Sequence, residues 1–135
     1  DMDIKLEVVP IPASDIDRAK TYYADRLGFN VDLDVPLGED GRLVQLTPPG
    51  SGCSIHLNSQ LKKLAPGSLE GLMLIVDDIE ATRAALVERG AELGPVQHMV
   101  DGEWVDGKGG EWNSFVFFSD PDGNEWVIQE RPVGN

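Results

Sequence analysis

The chain is poor in cysteine and in bases. A single cysteine, Cys53, stands among 135 residues. That excludes an intrachain disulfide framework and every zinc cluster built on cysteines. Lysine and arginine together number 11 against 24 acids, for a formal net charge of −13. No basic tract occurs, so a nucleic-acid backbone or an anionic membrane is not an expected partner. No apolar run approaches the roughly 20 residues that cross a bilayer. The opening Asp1-Met2-Asp3 is acidic where a secretory signal would be basic. A soluble, cytoplasmic protein is therefore expected. With 41% hydrophobic residues, the chain can bury the core of a single domain spanning residues 1–135.

What is present is an internal repeat. Ser14-Asp15-Ile16-Asp17-Arg18-Ala19-Lys20 is echoed by Asp77-Asp78-Ile79-Glu80-Ala81-Thr82-Arg83. Each copy follows an apolar stretch, Leu6 to Ile11 or Leu72 to Val76, that reads as a strand running into a helix. Ser14 with Asp17, and Asp77 with Glu80, have the spacing of a capping box. Ile16, Ala19, Tyr23 and Leu27 form the apolar stripe of the first helix, and Ile79, Leu86 and Val87 that of the second. Gly28 and Gly90 fall where each helix must end. Three strands are predicted after each helix: Asn30–Val35, Leu43–Thr47 and Ser54–Asn58, then Ala91–Val96, Ser114–Phe118 and Trp126–Glu130. The chain thus reads as an α+β protein of two βαβββ modules, residues 4–60 and 71–131, joined by a polar linker at 61–70.

That pattern resembles the vicinal oxygen chelate superfamily of glyoxalase I, bleomycin-resistance proteins and extradiol dioxygenases. The likeness is carried by Ile11 to Ala19, Tyr22-Tyr23, Leu27-Gly28-Phe29, Val76 to Glu80 and Ser119-Asp120-Pro121-Asp122-Gly123-Asn124. It implies curved mixed sheets enclosing a cup, often built across a homodimer. Enzymes of that family hold one divalent metal there, on the first and last strand of each module. Carried onto this chain, the ligand positions fall on Val8, His56, Gly71 and Val127. Only His56 is a ligand-capable residue, whereas a catalytic ion needs about three protein ligands. A one-residue slip would bring Glu7 or Gln129 forward, but it would also turn each strand over. No metal cofactor is therefore expected.

The remaining candidates follow from strand alternation. His56 reads either as a core-facing histidine or as a polar anchor in the cup, with Ser54 and Asn58 on its face. The matching face of the second module offers Met73, Glu125 and Gln129, while the facing of Gln45 is open. The expected ligand site has Val8, Met73 and Val127 as walls and His56, Asn58 and Gln129 as polar points. Trp104 and Trp112 fall in or beside a long glycine-rich loop, Val100 to Asn113, and read either as a flap over the cup or as packing against a dimer partner or sheet edge. His98 reads as an exposed loop residue or an acid–base group at the pocket rim, and Cys53 as a small half-buried residue. Gly107-Lys108-Gly109-Gly110 lacks the spacing of a phosphate loop, and Asp120 to Asn124 is a turn rather than a calcium loop. The resulting expectation is a small-molecule-binding homodimer of the bleomycin-resistance type. The alternatives are a metal-dependent lyase or dioxygenase and a metal-free enzyme with His56 as acid–base group.

Overall fold

The structure is a computed structural model that describes residues 2–133. They form two compact units. One runs to Leu69 and takes in Pro121–Asn124; the other holds Glu70–Asp120 and the chain from Glu125 onward.

In the first unit, β1 (Val8–Pro10) leads into α1 (Ile16–Thr21), followed by β2 (Asn30–Leu37), β3 (Gly41–Thr47) and β4 (Ser54–Asn58). The sheet order is β1-β4-β3-β2, with β1 parallel to β4 and the other pairs antiparallel. The N-cap of α1 is Asp15, whose carboxylate accepts from the Arg18 N–H, and not the expected Ser14. Ser14 lies one residue outside the helix and instead donates through its hydroxyl and its N–H to Asp122, at 2.5 and 3.1 Å. After α1 the helix widens into a π-helical turn, Tyr22–Arg26, in which the Leu27 N–H donates to the Tyr22 carbonyl five residues back. Gly28 ends it at φ +72°, a left-handed conformation that suits glycine. Tyr23, Val44, Leu46 and Leu57 are fully buried, with Tyr23 stacked on Phe29. These residues alternate with exposed or half-buried neighbours along β3 and β4, so one face of the sheet carries the helix.

The second unit repeats the plan with one addition. β5 (Leu72–Val76) and α2 (Ile79–Glu88) precede β6 (Gln97–Val100), β7 (Glu103–Asp106), β8 (Phe115–Ser119) and β9 (Glu125–Glu130). The order is β5-β9-β8-β6-β7, with β5 parallel to β9. The α2 cap is Asp78, not Asp77; Asp77 pairs with Arg131 at 2.5 Å. Gly90 takes φ +96° at the helix end, as the sequence predicts. Ile79 is buried, but Val87 is exposed and belongs to no packed stripe. The expected strand at Ala91–Val96 starts instead at Gln97, because Gly94-Pro95 interrupts the ladder. The expected long loop holds the β6–β7 hairpin. Its two-residue turn, Asp101-Gly102, has both φ angles positive, at +49° and +83°, as a primed turn requires. Trp126, Ile128, Val116 and Phe118 are buried on the side that α2 covers.

Candidate functional site

In each unit, one sheet face is covered by its helix and the opposite face is left open to other side chains. On β4 of the first unit, His56 lies beside Gln45 of β3 and Pro10 of β1. His56 Nε2 is 2.9 Å from Gln45 Oε1, so Gln45 accepts the ring N–H. The Gln45 amide in turn donates to Asp32 at 3.2 Å. Thr47 and Asn30 also donate to the Asp32 carboxylate, and Thr47 shares a 2.6 Å hydrogen bond with Ser54. Six side chains from three strands form this connected network. The Thr47 hydroxyl, with the Asn30 amide behind it, holds the Asp32 carboxyl below its ordinary value. The anion fixes which way the Gln45 amide points, and that fixes the histidine tautomer: Nε2 carries a proton and Nδ1 is the acceptor in the neutral ring.

A β-bulge makes this arrangement. Val31 stands opposite Leu46 on the helix-covered face, yet Leu33 stands opposite Gln45 on the other, so the register shifts across Asp32. Asp32 thereby reaches the open face, while Asp34 stays on the helix side with Lys20 and Arg42 at 2.8 and 2.7 Å. Simple alternation would have put both aspartates on one face. Of the other expected residues in this unit, half-buried Val8 lies opposite Ser54, and the Asn58 side-chain oxygen accepts from the Gln60 N–H.

The open face of the second unit is apolar and aromatic. Trp104 on β7 meets Phe115 and Phe117 on β8 edge-on, with ring centroids 5.5 and 5.0 Å apart. Phe117 stands opposite Val127, which stands opposite Met73 on its other side. Met73 is 54% exposed and Ile75 51%, whereas Val127 is only 6% exposed. Trp104, expected on a loop, is therefore fixed on a strand. Gln129 shares this face, and its amide donates to the Trp112 carbonyl at 2.9 Å. Asn113 bridges both backbone groups of Met99, and His98 Nδ1 lies 2.7 Å from the Gly107 carbonyl. His98 is thus a half-buried strand residue whose ring is used in holding the turn after β7. Trp112 itself is exposed and adopts φ +61°.

The donor set does not fit the divalent metal that the resemblance implies. Val8, Gly71 and Val127 offer no side-chain donor. Among the described residues, no three His, Cys, Asp or Glu side chains are placed to hold an ion. Cys53 is a free, half-buried thiol.

Sequence reasoning missed Asp32 and Thr47 because a bulge cannot be seen in alternation. It also missed Phe115 and Phe117, although their spacing on a strand puts both on the face of Val127. The β6–β7 hairpin had its signal in Asp101-Gly102 between two apolar pairs.

Two βαβββ-type units, each with a helix on one sheet face and the other face open, define the glyoxalase-like class of α+β proteins. The chain belongs to the Glyoxalase/Bleomycin resistance protein/Dioxygenase superfamily, whose family model matches residues 5–128. It is similar to TnmS3, an antibiotic binding protein from Streptomyces sp. CB03234: 33% identity, 97% of this chain and 99% of that one covered, TM-score 0.77. A glyoxalase/bleomycin resistance protein from the same strain is 34% identical, with 93% and 99% covered and a TM-score of 0.73. YetH of Bacillus subtilis (strain 168) is 26% identical over 130 residues, covering 93% of this chain and 98% of its own.

Proposed function

We propose that this chain binds a flat, largely apolar organic molecule of antibiotic type, without a catalytic metal. The observation that carries this reading is the Trp104–Phe115–Phe117 cluster on the open face of the second sheet, flanked by exposed Met73 and Ile75. Exposed aromatic rings held edge-to-face offer a preformed stacking surface at little entropic cost. The likeness to TnmS3 supports the same ligand class. We further propose that the protein acts as a homodimer, since an apolar face of this extent is unusual on a monomer.

The test is a titration of tryptophan emission with polycyclic aromatic antibiotics. Saturable quenching is expected, and Trp104→Ala should weaken binding by about 1–2 kcal/mol. Quenching that survives unchanged in Trp104→Ala would move the site elsewhere. Incubation with zinc, nickel, manganese or iron followed by desalting should leave far less than one equivalent bound.

A second reading is a metal-free enzyme, favoured by the His56–Gln45–Asp32 arrangement, which resembles an oriented general base. Turnover of a bound ligand that disappears in His56→Ala would establish it over simple binding.

A further inference from the structure

The first unit contains a cavity of about 820 Å³, whose lining takes in Pro10 and Asn58 but neither His56 nor Asp32. One wall is the segment from the end of β1 to the start of α1; the other is the chain that leaves β4, through Pro66. Its apolar lining includes Pro10, Pro12, Ile16, Leu61 and Leu64. The volume matches a drug-sized ligand.

The walls are built in advance of any ligand. The Pro12 carbonyl accepts from the Asn124 amide at 3.0 Å, and Asn124 is itself fully buried. On the opposite side, Asn58 closes a turn by accepting from the N–H groups of Gln60 and Leu61. A second turn, Ser68 N–H to the Ala65 carbonyl, holds the far end.

The charge of this cavity runs against that of the whole chain. No aspartate or glutamate lines it, although the chain has 24 acids. The only ionised groups on its walls are Lys62 and Lys63. Six other basic side chains, Lys5, Arg18, Lys20, Arg42, Lys108 and Arg131, form ion pairs. Lys62 and Lys63 pair with no described residue. Against a net charge of −13, two cations without a paired acid locally favour an anion. Two ammonium groups at the edge of an apolar trough complement a molecule with a hydrophobic body and one anionic head.

We infer that this cavity is a second ligand site, one that takes an amphipathic organic anion: an aromatic or branched aliphatic body carrying a carboxylate or sulfonate. It is independent of the aromatic face of the second unit, in both residues and preferred charge.

The experiment uses anilinonaphthalene sulfonate as the anionic probe and phenylnaphthylamine, with the same rings and no charge, as its control. The sulfonate should bind the intact protein with enhanced emission and more tightly than the neutral amine. The Lys62→Ala/Lys63→Ala double variant should weaken the sulfonate about tenfold, the loss of charge-assisted contacts, and leave the amine unaffected. Leu64→Asp, at an exposed position, should weaken both. Trp104→Ala should leave the lysine-dependent binding of the sulfonate in place. Equal affinity for the two probes, sulfonate binding indifferent to the lysine pair, or its loss in Trp104→Ala would overturn the inference. The last outcome would place the dye on the aromatic face and leave that site standing on its own.

Discussion

Where β4 of the first unit carries His56, β9 of the second carries Val127: the first stands opposite Pro10, the second opposite Met73. By the same registers Gln45 corresponds to Phe117, and Asn58 to Gln129. The other face shows no such divergence. Val44, Leu46, Ile55 and Leu57 correspond to Val116, Phe118, Trp126 and Ile128, and all eight are buried. Packing against a helix constrains one face to be apolar in both units, because each buried side chain there is worth about 1.5–3 kcal/mol. The open face bears no such constraint, so one unit carries a hydrogen-bond network and the other an aromatic surface.

The largest test of that contrast exchanges chemistry between units. Phe117→Gln places the first unit's residue type in the second. Affinity for a flat aromatic ligand should fall by roughly 1.5–3 kcal/mol, read from tryptophan quenching. Denaturation should change little, since Phe117 is 40% exposed. An unchanged affinity would separate ligand binding from the aromatic face.

The reverse exchange reads out as stability. His56→Val leaves the Gln45 oxygen without its donor and should cost about 0.5–1.5 kcal/mol in urea denaturation. Adding Gln45→Phe removes the other partner and restores the second unit's pairing, so the double variant should recover most of the loss. Additive losses would show that the hydrogen bond contributes nothing of its own.

A smaller effect concerns pH. Asp32 is held below its ordinary value, so its ionised form is favoured in the folded chain. Its contribution is present above the ordinary carboxylate range and is lost as pH falls through the lowered value. Thr47→Val removes the largest cause, and the Asp32 midpoint, followed by NMR, should move upward. A midpoint that stays put would assign the effect to Asn30.

The smallest effect lies in the second unit. Glu70 faces Glu125 and raises its carboxyl above the ordinary value. The folded chain then resists ionisation, so stability declines as pH rises from the ordinary to the raised value. Glu70→Gln should bring the Glu125 midpoint down and slightly raise the melting temperature at neutral pH. A lower melting temperature would mean that the two carboxyls cooperate.

Much of this architecture is legible in the sequence because it rests on local rules. The repeat at Ser14 and Asp77, the glycines at 28 and 90, and the strands around His56 and Val127 are all of that kind. The caps slipped by one residue because two consecutive polar residues compete at each helix start, and the inner one wins. The site was legible in part: His56 and its strand neighbours follow from alternation. The partners that orient His56 depend on a bulge at Asp32 and on β3 lying beside β4, neither of which has a period. Val100 to Asn113 reads as a loop because it is polar and rich in glycine; the hairpin that carries Trp104 is held by its turn and by Asn113 more than by hydrophobic pattern.

The Pro121–Asn124 turn has a temporal consequence. It belongs to the first unit, where Asp122 holds Ser14 and Arg18, and Asn124 holds Pro12 and the Leu69 N–H. The bonds to Ser14 and Pro12 span 108 and 112 residues of chain. As the chain leaves the ribosome, the amino-terminal half is synthesised long before the four residues that complete it. Contacts of such separation form late and slow the search for the native state. The earlier half must therefore wait, partly assembled, for a piece made 108 residues later. Two modules that look like independent copies are thus committed to mature together.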